Sequence, residues 1–342
     1  MGAIRIIKGG LFTTVQDLGR YGYQSLGVTQ SGSMDSYSHK LANILVGNDI
    51  GDALLEFTFI GPEIEILEDM AIAVTGGDLK IEINSSQRPM YETLYVVKGD
   101  IVRFSPVENG SRCYIAFSVG TDVDMVMNSR ATHTKTSVGG YMGRKLADGD
   151  ILNILKTGEM PPKRIIPLSL RKNYAGDKTV RVILGPQDDM FTEKAIETFL
   201  NSTYTVADEM DRMGIRLEGE EIEHISKADI ISDPIFMGAI QIPGHKNPIV
   251  MMADRQTTGG YPKIGTVITA DLPLMAQLRP KDSVRFKAIT VLEAQKLLRE
   301  ENILIEKLKE LSVVKVKNKK TYSINVNNKN YIVGVEEIDY SL

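Results

Sequence analysis

A weak internal repeat constrains the fold of this chain more than any single motif. Residues 4–9 (IRIIKG) resemble residues 180–185 (VRVILG), and residues 99–104 (GDIVRF) resemble residues 281–286 (KDSVRF). The Met-Asp steps at positions 34–35 and 210–211 fall between these matches in the same order. Because the order is preserved, the sequence predicts a duplicated fold with a boundary within residues 156–177. The predicted domains are residues 1–165 and 178–289, followed by a C-terminal helix and tail at residues 290–342.

Short strand-like segments dominate both halves. Residues 71–75, 79–83, 94–97, 114–119 and 180–184 are rich in Val, Ile and Tyr and are separated by Gly, Asn or Ser. Such closely spaced short strands favour barrels or sandwiches over a doubly wound sheet. We therefore expect a mainly β protein with a few helices.

Three segments are predicted to be helical. Residues 35–46 have apolar side chains at helical spacing, with Ser33 or Asp35 as a candidate cap, and residues 192–200 are similar. Residues 290–311 open with a Thr-x-x-Glu capping box formed by Thr290 and Glu293, and their apolar stripe is expected to pack on the body. The tail is expected to add a hairpin around positions 327–328.

Composition narrows the class of protein. With 342 residues, 42% hydrophobic and 25% charged, the chain is typical of a soluble globular protein, and its net charge of −4 argues against nucleic-acid binding. Cys113 is the only cysteine, so no disulfide can form within the chain. The start lacks a signal-peptide pattern, and no apolar run is long enough for a membrane span. We expect a cytoplasmic protein.

The densest polar motif lies at residues 254–262 (DRQTTGGYP). Polar side chains run directly into a Gly-Gly turn that allows close approach of a ligand to the backbone, and Pro262 favours an extended Tyr261. An ordinary polar turn is the alternative interpretation. The motif indicates a binding site without identifying its ligand.

A second polar cluster lies near the N-terminus, at residues 13–20 (TTVQDLGR) and 31–35 (SGSMD). Arg20 could bind a carboxylate through its paired donors, and a structural role for the cluster is equally compatible with the pattern. Arg212 and Arg216 are further candidate anion-binding groups. A second Gly-Gly-Tyr turn at residues 139–141 suggests that two such loops face each other across a cleft between the halves.

Two further expectations concern isolated polar residues. Glu56 stands within an apolar run and would need a buried partner if its neighbours are core. The four histidines, which are scattered, are expected to be surface or turn residues: His39, His133, His224 and His245.

Several common catalytic motifs are missing from the sequence. It has no His-Glu-x-x-His or Cys/His cluster, so no metal site is expected. Residues 260–266 lack the lysine of a P-loop, and neither a Gly-x-Ser-x-Gly elbow nor a Met-Lys-Met biotin attachment site occurs. A reaction that needs ATP or a swinging cofactor would therefore require a partner.

Taken together, the motifs resemble the allophanate hydrolase subunit 2 family, which includes KipA and the C subunit of the prokaryotic 5-oxoprolinase. The N-terminal blocks carry this resemblance together with residues 42–48 (ANILVGN), 211–214 (DRMG), 238–243 (GAIQIP) and 254–262. It covers about residues 4–287 and leaves out the C-terminal helix and tail.

The resemblance implies two tandem cyclophilin-like β-barrels and a heteromeric assembly. A KipI-like subunit and a LamB/YcsF-type subunit are the implied partners, and ATP would be bound with or by them. The implied reaction is ATP-dependent opening of the pyroglutamate lactam, a small acidic amide. The family also resembles the carboxyltransferase part of urea carboxylase, and its KipA branch is implied to regulate a histidine kinase by binding a KipI-like inhibitor.

Residue roles follow as hypotheses from this motif density. Asp254 is expected to act as a general acid/base or to orient water, with Gln256, Thr257 and Tyr261 as hydrogen-bonding neighbours. Arg20 or Arg212 would hold the substrate carboxylate. The remaining predicted substrate-binding residues are Gln16, Ser31, Ser33, Gln241, Gly259 and Gly260.

Overall fold

A computed structural model describes residues 3–118, 120–154, 159–326 and 329–339. The fold is mainly β with few helices, which confirms the predicted class. Two peripheral pieces are the C-terminal helix and a long hairpin, and the rest of the chain forms two strand-rich halves.

The first half arranges its strands in two antiparallel sheets. These strands are β1 (Ile4–Lys8), β2 (Phe12–Gln16), β3 (Leu54–Thr58), β4 (Glu63–Ile66), β5 (Met70–Asp78), β6 (Ile81–Ile83), β7 (Ser86–Arg88), β8 (Leu94–Val96), β9 (Ile101–Phe104), β10 (Asn109–Phe117), β11 (Thr121–Asp122) and β12 (Ile151–Ile154). One sheet has the order β11-β12-β1-β4-β9-β6-β7 and the other β2-β3-β10-β5-β8. Both contribute to one apolar core that lies between them.

The second half closes into a barrel. Its strands are β13 (Lys178–Leu184), β14 (Tyr204–Met210), β15 (Gly214–Glu218), β16 (Asp233–Pro234), β17 (Ala239–Gln241), β18 (Ile249–Met251), β19 (Thr258–Gly259), β20 (Lys263–Val267) and β21 (Ser283–Ala288). The barrel order is β13-β20-β17-β18-β15-β14-β21, and β13 pairs parallel with β21 to complete the ring. A separate ladder joins β16 to β19.

The repeated sequence segments occupy strands in both halves but pair differently. The segments at residues 4–9 and 99–104 contain β1 and β9, which are separated by β4 in the first half. Their counterparts contain β13 and β21, which pair directly. The strands of the second half therefore form a closed barrel, whereas those of the first half form two sheets that enclose a core.

The helices are α1 (Ser36–Leu45), α2 (Glu193–Asn201), α3 (Leu272–Ala276) and α4 (Val291–Leu311). The capping box of Thr290 and Glu293 at α4 is confirmed. Of the two candidate caps of α1, Asp35 caps the helix by accepting from the backbone N–H of Ser38, while the Ser33 hydroxyl is bonded to His39. Among the described residues, none of the helices is long and apolar enough to cross a membrane.

The C-terminal region returns to the first half. On α4, Ile305 and Leu308 are buried in a core that they share with α1, which confirms the expected packing of this part of the helix. The tail forms the expected hairpin from β22 (Lys315–Val326) and β23 (Lys329–Asp339). Its turn at positions 327–328 lies outside the described residues, as do position 119 and part of the predicted boundary segment.

At the junction, side chains from each half pack into or form hydrogen bonds with the other half. Met34, from the first half, is fully buried in the core of the second. In the opposite direction, the Gln277 side-chain carbonyl accepts from the backbone N–H groups of Ser111 and Arg112 at 3.0 and 2.9 Å. Its amide nitrogen donates to Asp35 at 2.9 Å. The junction is consequently held by buried hydrogen bonds as well as by apolar packing.

Candidate functional site

The polar motif at residues 254–262 begins as the loop that follows β18 and ends at the start of β20. Buried Arg255 holds this loop in place by donating to the carbonyl of Ile235 and to the side chain of Gln30, both at 3.0 Å. Burial lowers the pKa of Arg255 to about 10. Because its donors are used within the protein, Arg255 positions the loop against the first half.

A buried ionic cluster lies where this loop meets the junction. Arg212 donates through Nε and Nη2 to the two carboxylate oxygens of Asp254, at 2.9 and 3.0 Å, and through Nη1 to Glu56. The other oxygen of Glu56 accepts from the Tyr114 hydroxyl at 2.9 Å. The expectation that Glu56 needs a buried partner is confirmed.

Electrostatics favour the charged form of Arg212 in this cluster. Burial disfavours the guanidinium of Arg212, yet the carboxylates of Asp254 and Glu56 outweigh burial and raise its pKa. All three side chains are at least nine-tenths buried, and one of them comes from the first half. Removing one partner would leave an uncompensated buried charge, so the cluster is a strong link across the junction.

An open cleft of about 480 Å³ lies beside the motif. Its lining includes Lys135 from the first half and, from the second half, Asp211, Gln241, Gln256 and Tyr261. A further concavity of about 400 Å³ shares the last three of these residues and extends along Gly259 and Gly260. The Gly-Gly-Tyr turn of the second half therefore forms a cleft wall, as expected of a binding loop.

Gln241 is the most distinctive group on this wall. It is 4% exposed, and its amide nitrogen has no hydrogen-bond partner among the described residues. A Cβ at position 259 would lie 2.7 Å from that nitrogen and 2.5 Å from Ile235 Cδ1, so a larger residue there would displace both side chains. The wall thus holds a buried hydrogen-bond donor without a partner among the described residues, whereas buried donors are normally paired.

The short β16–β19 ladder supports the glycine turn from behind. Asp233, in β16, accepts from the Nζ of fully buried Lys263 at 2.7 Å and from Gln187 at 3.1 Å. The lysine holds the pKa of Asp233 below its usual value. This pairing fixes the strand against which Thr258 and Gly259 are laid.

A smaller pocket of about 330 Å³ lies on the other side of Lys135 and Asp211, which line both cavities. The Nζ of Lys135 lies 3.1 Å from Asp211 and also contacts Met213, so the pair bridges the two halves. We call this second cavity the Arg112 pocket. Its lining residues are Leu11, Phe12, Thr58, Phe59, Arg112, Thr134, Lys135, Met210, Asp211, Arg212, Met213 and Asp254.

The four predicted catalytic residues do not lie in one site. Gln256 and Tyr261 lie on the cleft wall, and Tyr261 is 41% exposed. Asp254 lines the Arg112 pocket, with both oxygens bound by Arg212. Thr257 uses its backbone carbonyl to accept from Gln24 and from the backbone of Ile235. Their catalytic roles stay predictions.

The N-terminal polar cluster does not form an open substrate site. Arg20 is 1% exposed and donates to the carbonyls of Val126 and Ala131, both at 3.0 Å, so it is not available to a substrate carboxylate in this arrangement. Gln16, Ser31 and Ser33 are also buried. Gln16 Oε1, Arg20 Nη1 and Ser31 Oγ have no hydrogen-bond partner among the described residues, but their burial closes them to a substrate in this arrangement.

Arg212 also fails as the expected carboxylate anchor, because its nitrogens are taken by Asp254, Glu56 and the carbonyl of Gly32. The first Gly-Gly-Tyr turn packs within its own half: Tyr141 lies on the first-half core, and a Cβ on Gly139 would clash with the carbonyl of Ala131. The two turns therefore do not form a matched pair of cleft walls.

The histidine expectation is wrong for two of the four residues. His39 is fully buried, and its ring bonds to Ser33 Oγ at 2.6 Å and to Asn43 at 3.1 Å. His133 is 7% exposed and bonds to Thr136. Burial lowers the pKa of His133, although nearby Asp254 opposes the shift.

Sequence reasoning missed Arg112 and Lys135. Arg112 stands in the middle of β10, and its neighbours in sequence do not distinguish it from a structural arginine. The one signal for Arg112 in the sequence is a charged residue immediately before an apolar strand segment. Lys135 lies in a loop whose position against the second half depends on the fold.

With this geometry in view, a family model for the carboxyltransferase domain, subdomains A and B, matches residues 26–288. The chain therefore belongs to the carboxyltransferase domain family. It is 31% identical over 305 residues to the C subunit of 5-oxoprolinase from Escherichia coli (strain K12), covering 89% of this chain and 97% of that protein. The corresponding Haemophilus influenzae protein is 30% identical over 299 residues, 87% of this chain and 95% of that protein.

The fold is also similar to that of a larger enzyme. The crystal structure of the Kluyveromyces lactis urea carboxylase aligns with a TM-score of 0.85 and 31% identity, covering 92% of this chain and 30% of that chain. This chain thus spans about a third of urea carboxylase but nearly the whole length of the bacterial relatives. The resemblance to the family that includes the 5-oxoprolinase C subunits is confirmed.

Proposed function

We propose that this chain is a subunit of a cytoplasmic, ATP-dependent 5-oxoprolinase that opens the pyroglutamate lactam to glutamate. It acts with a KipI-type subunit and a LamB/YcsF-type subunit, and ATP binds with or within those partners. The proposal is supported by the two bacterial relatives named as 5-oxoprolinase C subunits, because the match spans almost their whole length.

The unpaired amide of Gln241 is the structural observation that carries the proposal. It lines a cleft of about 480 Å³, a size typical of small-molecule sites, beside a glycine turn that leaves room for a ligand. A lactam presents a carbonyl that can accept from such a donor. Gln256 and Tyr261 supply further polar groups on the same wall.

The chemistry explains why partners are needed. A lactam resists hydrolysis because resonance delocalises its nitrogen lone pair into the carbonyl. Transfer of the γ-phosphoryl group of ATP to the amide oxygen activates the ring carbon, with release of ADP. One water then adds to that carbon, and cleavage of the C–N bond leaves an acyl phosphate on the opened chain. A second water hydrolyses this acyl phosphate to give glutamate and inorganic phosphate. Hydrogen-bond donors on the cleft wall would stabilise charge on the oxygen during this sequence.

A second candidate function is carboxyl transfer from biotin to urea or a related amide. It is supported by the family match and by the similarity to urea carboxylase. This function requires a biotinylated partner. A KipA-type regulator that binds a KipI-like kinase inhibitor is a third, non-enzymatic candidate, and it requires a stable complex without turnover.

Reconstitution tests these functions directly. The full chain is mixed with its two expected partner subunits, and glutamate release from pyroglutamate and ATP is measured with each component omitted in turn. Turnover that disappears without this chain supports the oxoprolinase. Carboxylation of urea with a biotinylated partner, or a stable complex inactive on both substrates, would instead favour one of the other functions.

A further inference from the structure

Arg112 is a buried cation without a matching anion. It is 2% exposed, and no carboxylate among the described residues forms an ion pair with it. Its Nη1 donates to Ser111 Oγ and to the carbonyl of Ala276, while Nε has no partner in the described part of the chain. Burial lowers its pKa, and the charge of Glu56 only partly opposes this. A buried charge in this state is normally compensated by a partner.

The Arg112 pocket has the composition expected for a small organic anion. Its walls include the apolar side chains of Leu11, Phe12, Phe59, Met210 and Met213, and its volume is about 330 Å³. Such a cavity can enclose an apolar ring, and a guanidinium in its wall can bind a carboxylate with directed hydrogen bonds.

The other two candidate arginines do not offer a cation to this pocket. The guanidinium of Arg212 is neutralised by Asp254 and Glu56. Arg20 also lacks a carboxylate and has an unpaired Nη1 among the described residues, but it donates to backbone carbonyls and lines none of the described cavities. Lys135, also in the pocket lining, is paired with Asp211. Arg112 is therefore the cation of this pocket whose charge the described residues leave unmatched.

We propose that the Arg112 pocket binds the carboxylate end of a small cyclic amide acid and that Arg112 is the group that holds this carboxylate. The proposal rests on the proposed function, which supplies a substrate of this chemistry. The ring packs against the apolar walls, and its amide lies toward Asp254 and the neighbouring cleft. The Lys135–Asp211 bridge marks the boundary between carboxylate recognition and the cleft wall of Gln241.

The test measures binding of three probes by calorimetry to the full chain, alone and with its partner subunits. Pyroglutamate carries both the carboxylate and the lactam, 2-pyrrolidinone lacks the carboxylate, and cyclopentanecarboxylate lacks the amide. We expect Arg112→Met to weaken binding of both carboxylates about 10- to 100-fold, the range for a charge-assisted hydrogen bond. Binding of 2-pyrrolidinone should stay unchanged in this variant.

Three further variants separate recognition from folding. Arg112→Lys keeps the charge and should retain part of the affinity for both carboxylates. Thr134→Trp fills the pocket from a loop without touching the bonds of Arg112, and it should abolish binding of all three probes. Arg103→Met removes an exposed guanidinium in the same half, paired with Glu63, and should bind like the unaltered chain.

The outcomes test the assignment of the Arg112 pocket separately from the proposed oxoprolinase activity. Carboxylate binding that survives in folded Arg112→Met, or carboxylates that bind neither the free chain nor the assembly, would overturn the pocket assignment. Binding of cyclopentanecarboxylate that depends on Arg112, in an assembly that never releases glutamate from pyroglutamate, would support the anion site and refute the oxoprolinase.

Discussion

Two polar regions of this protein look equally functional in sequence but differ in structure. The N-terminal cluster of Gln16, Arg20, Ser31 and Ser33 is buried, and its side chains mostly bind the surrounding protein. The cleft wall of the second half combines an unpaired buried amide at Gln241 with exposed Gln256 and Tyr261. An unpaired buried atom alone does not mark a binding site, since Gln16 Oε1, Arg20 Nη1 and Ser31 Oγ also lack a partner among the described residues. What distinguishes the cleft wall is that its unpaired amide lies beside exposed polar groups in an open cleft.

The same criterion applies to the three arginines near the junction. Arg212 is paired with two carboxylates, whereas Arg20 and Arg112 have none among the described residues and each keeps one unpaired nitrogen. Of the latter two, Arg112 lines a described cavity and Arg20 does not. Substituting a side chain whose polar atoms are paired within the chain should lower the stability of the protein. Substituting a side chain that keeps an unpaired donor beside a cavity should weaken ligand binding. The following experiments test this division.

The largest effect is expected for Arg212→Met. The substitution leaves the carboxylates of Asp254 and Glu56 buried without a cation, which should lower the free energy of unfolding by about 3–5 kcal/mol. Urea denaturation of the full chain measures it. The matched control is Arg216→Met, because Arg216 is half-exposed and pairs with exposed Glu209. Equal, small losses in both variants would contradict a structural role for the cluster.

A pH-dependent effect is expected at His39 within the N-terminal cluster. Burial lowers its pKa from 6.5 to about 3, so below pH 6.5 the unfolded chain binds a proton that the folded chain does not. Stability from this residue is present above pH 6.5 and is lost as pH falls toward 3, by about 2 kcal/mol at pH 5.

Urea denaturation at pH 7 and pH 5 isolates this contribution. His39→Gln should lose stability at pH 7 but show a flatter dependence on pH than the unaltered chain. Exposed His245 offers the control, since His245→Gln should leave the slope unchanged. A slope identical in all three proteins would show that His39 is not held neutral by burial.

The cleft wall should respond in activity and not in stability. Gln241→Leu removes a donor that has no internal partner among the described residues, so the free energy of unfolding should change by less than about 1 kcal/mol. In the reconstituted assembly, kcat/KM should fall about tenfold, because one ligand hydrogen bond is lost. Gln87→Leu, on an exposed strand, is the control. If Gln241→Leu lowered the stability without lowering the activity, Gln241 would be a structural residue and not a binding residue.

The smallest effect is expected at the bridge between the two cavities. Lys135 and Asp211 are both more than half exposed, so Lys135→Ala should cost less than about 1 kcal/mol, and the cost should decrease at high salt. Thermal unfolding at low and high ionic strength measures the difference. A large, salt-independent loss would show that the bridge is a structural lock of the junction.

Local signals in the sequence predicted local structure well. The capping box of α4 depends on Thr290 and Glu293 alone, and it forms as expected. The mainly β class and the glycine turn at residues 259–260 also follow from nearby residues. The cap of α1 could not be predicted, because the choice between Ser33 and Asp35 depends on His39 being buried against Ser33.

Long-range partners determined what the sequence could not predict. Arg20 and Arg212 share the chemistry of Arg112, and only the folded chain shows that Arg212 is paired with carboxylates while Arg112 lines a cavity without one among the described residues. The carbonyls that bind Arg20 lie about a hundred residues away or more, and Glu56 reaches Arg212 from the other half. Choosing among candidate binding residues therefore requires the hydrogen-bond and ion-pair partners that each residue has in the folded chain.

The position of Met34 has a consequence for how such a protein can be divided. Because this side chain from the first half fills the core of the second, a fragment beginning at residue 178 would contain a hole where the methionine sits. Loss of a buried side chain of this size typically costs about 2–5 kcal/mol, a large part of the stability of a small domain. The two halves are thus complementary pieces of one folding unit, and neither is a module that could be transplanted alone.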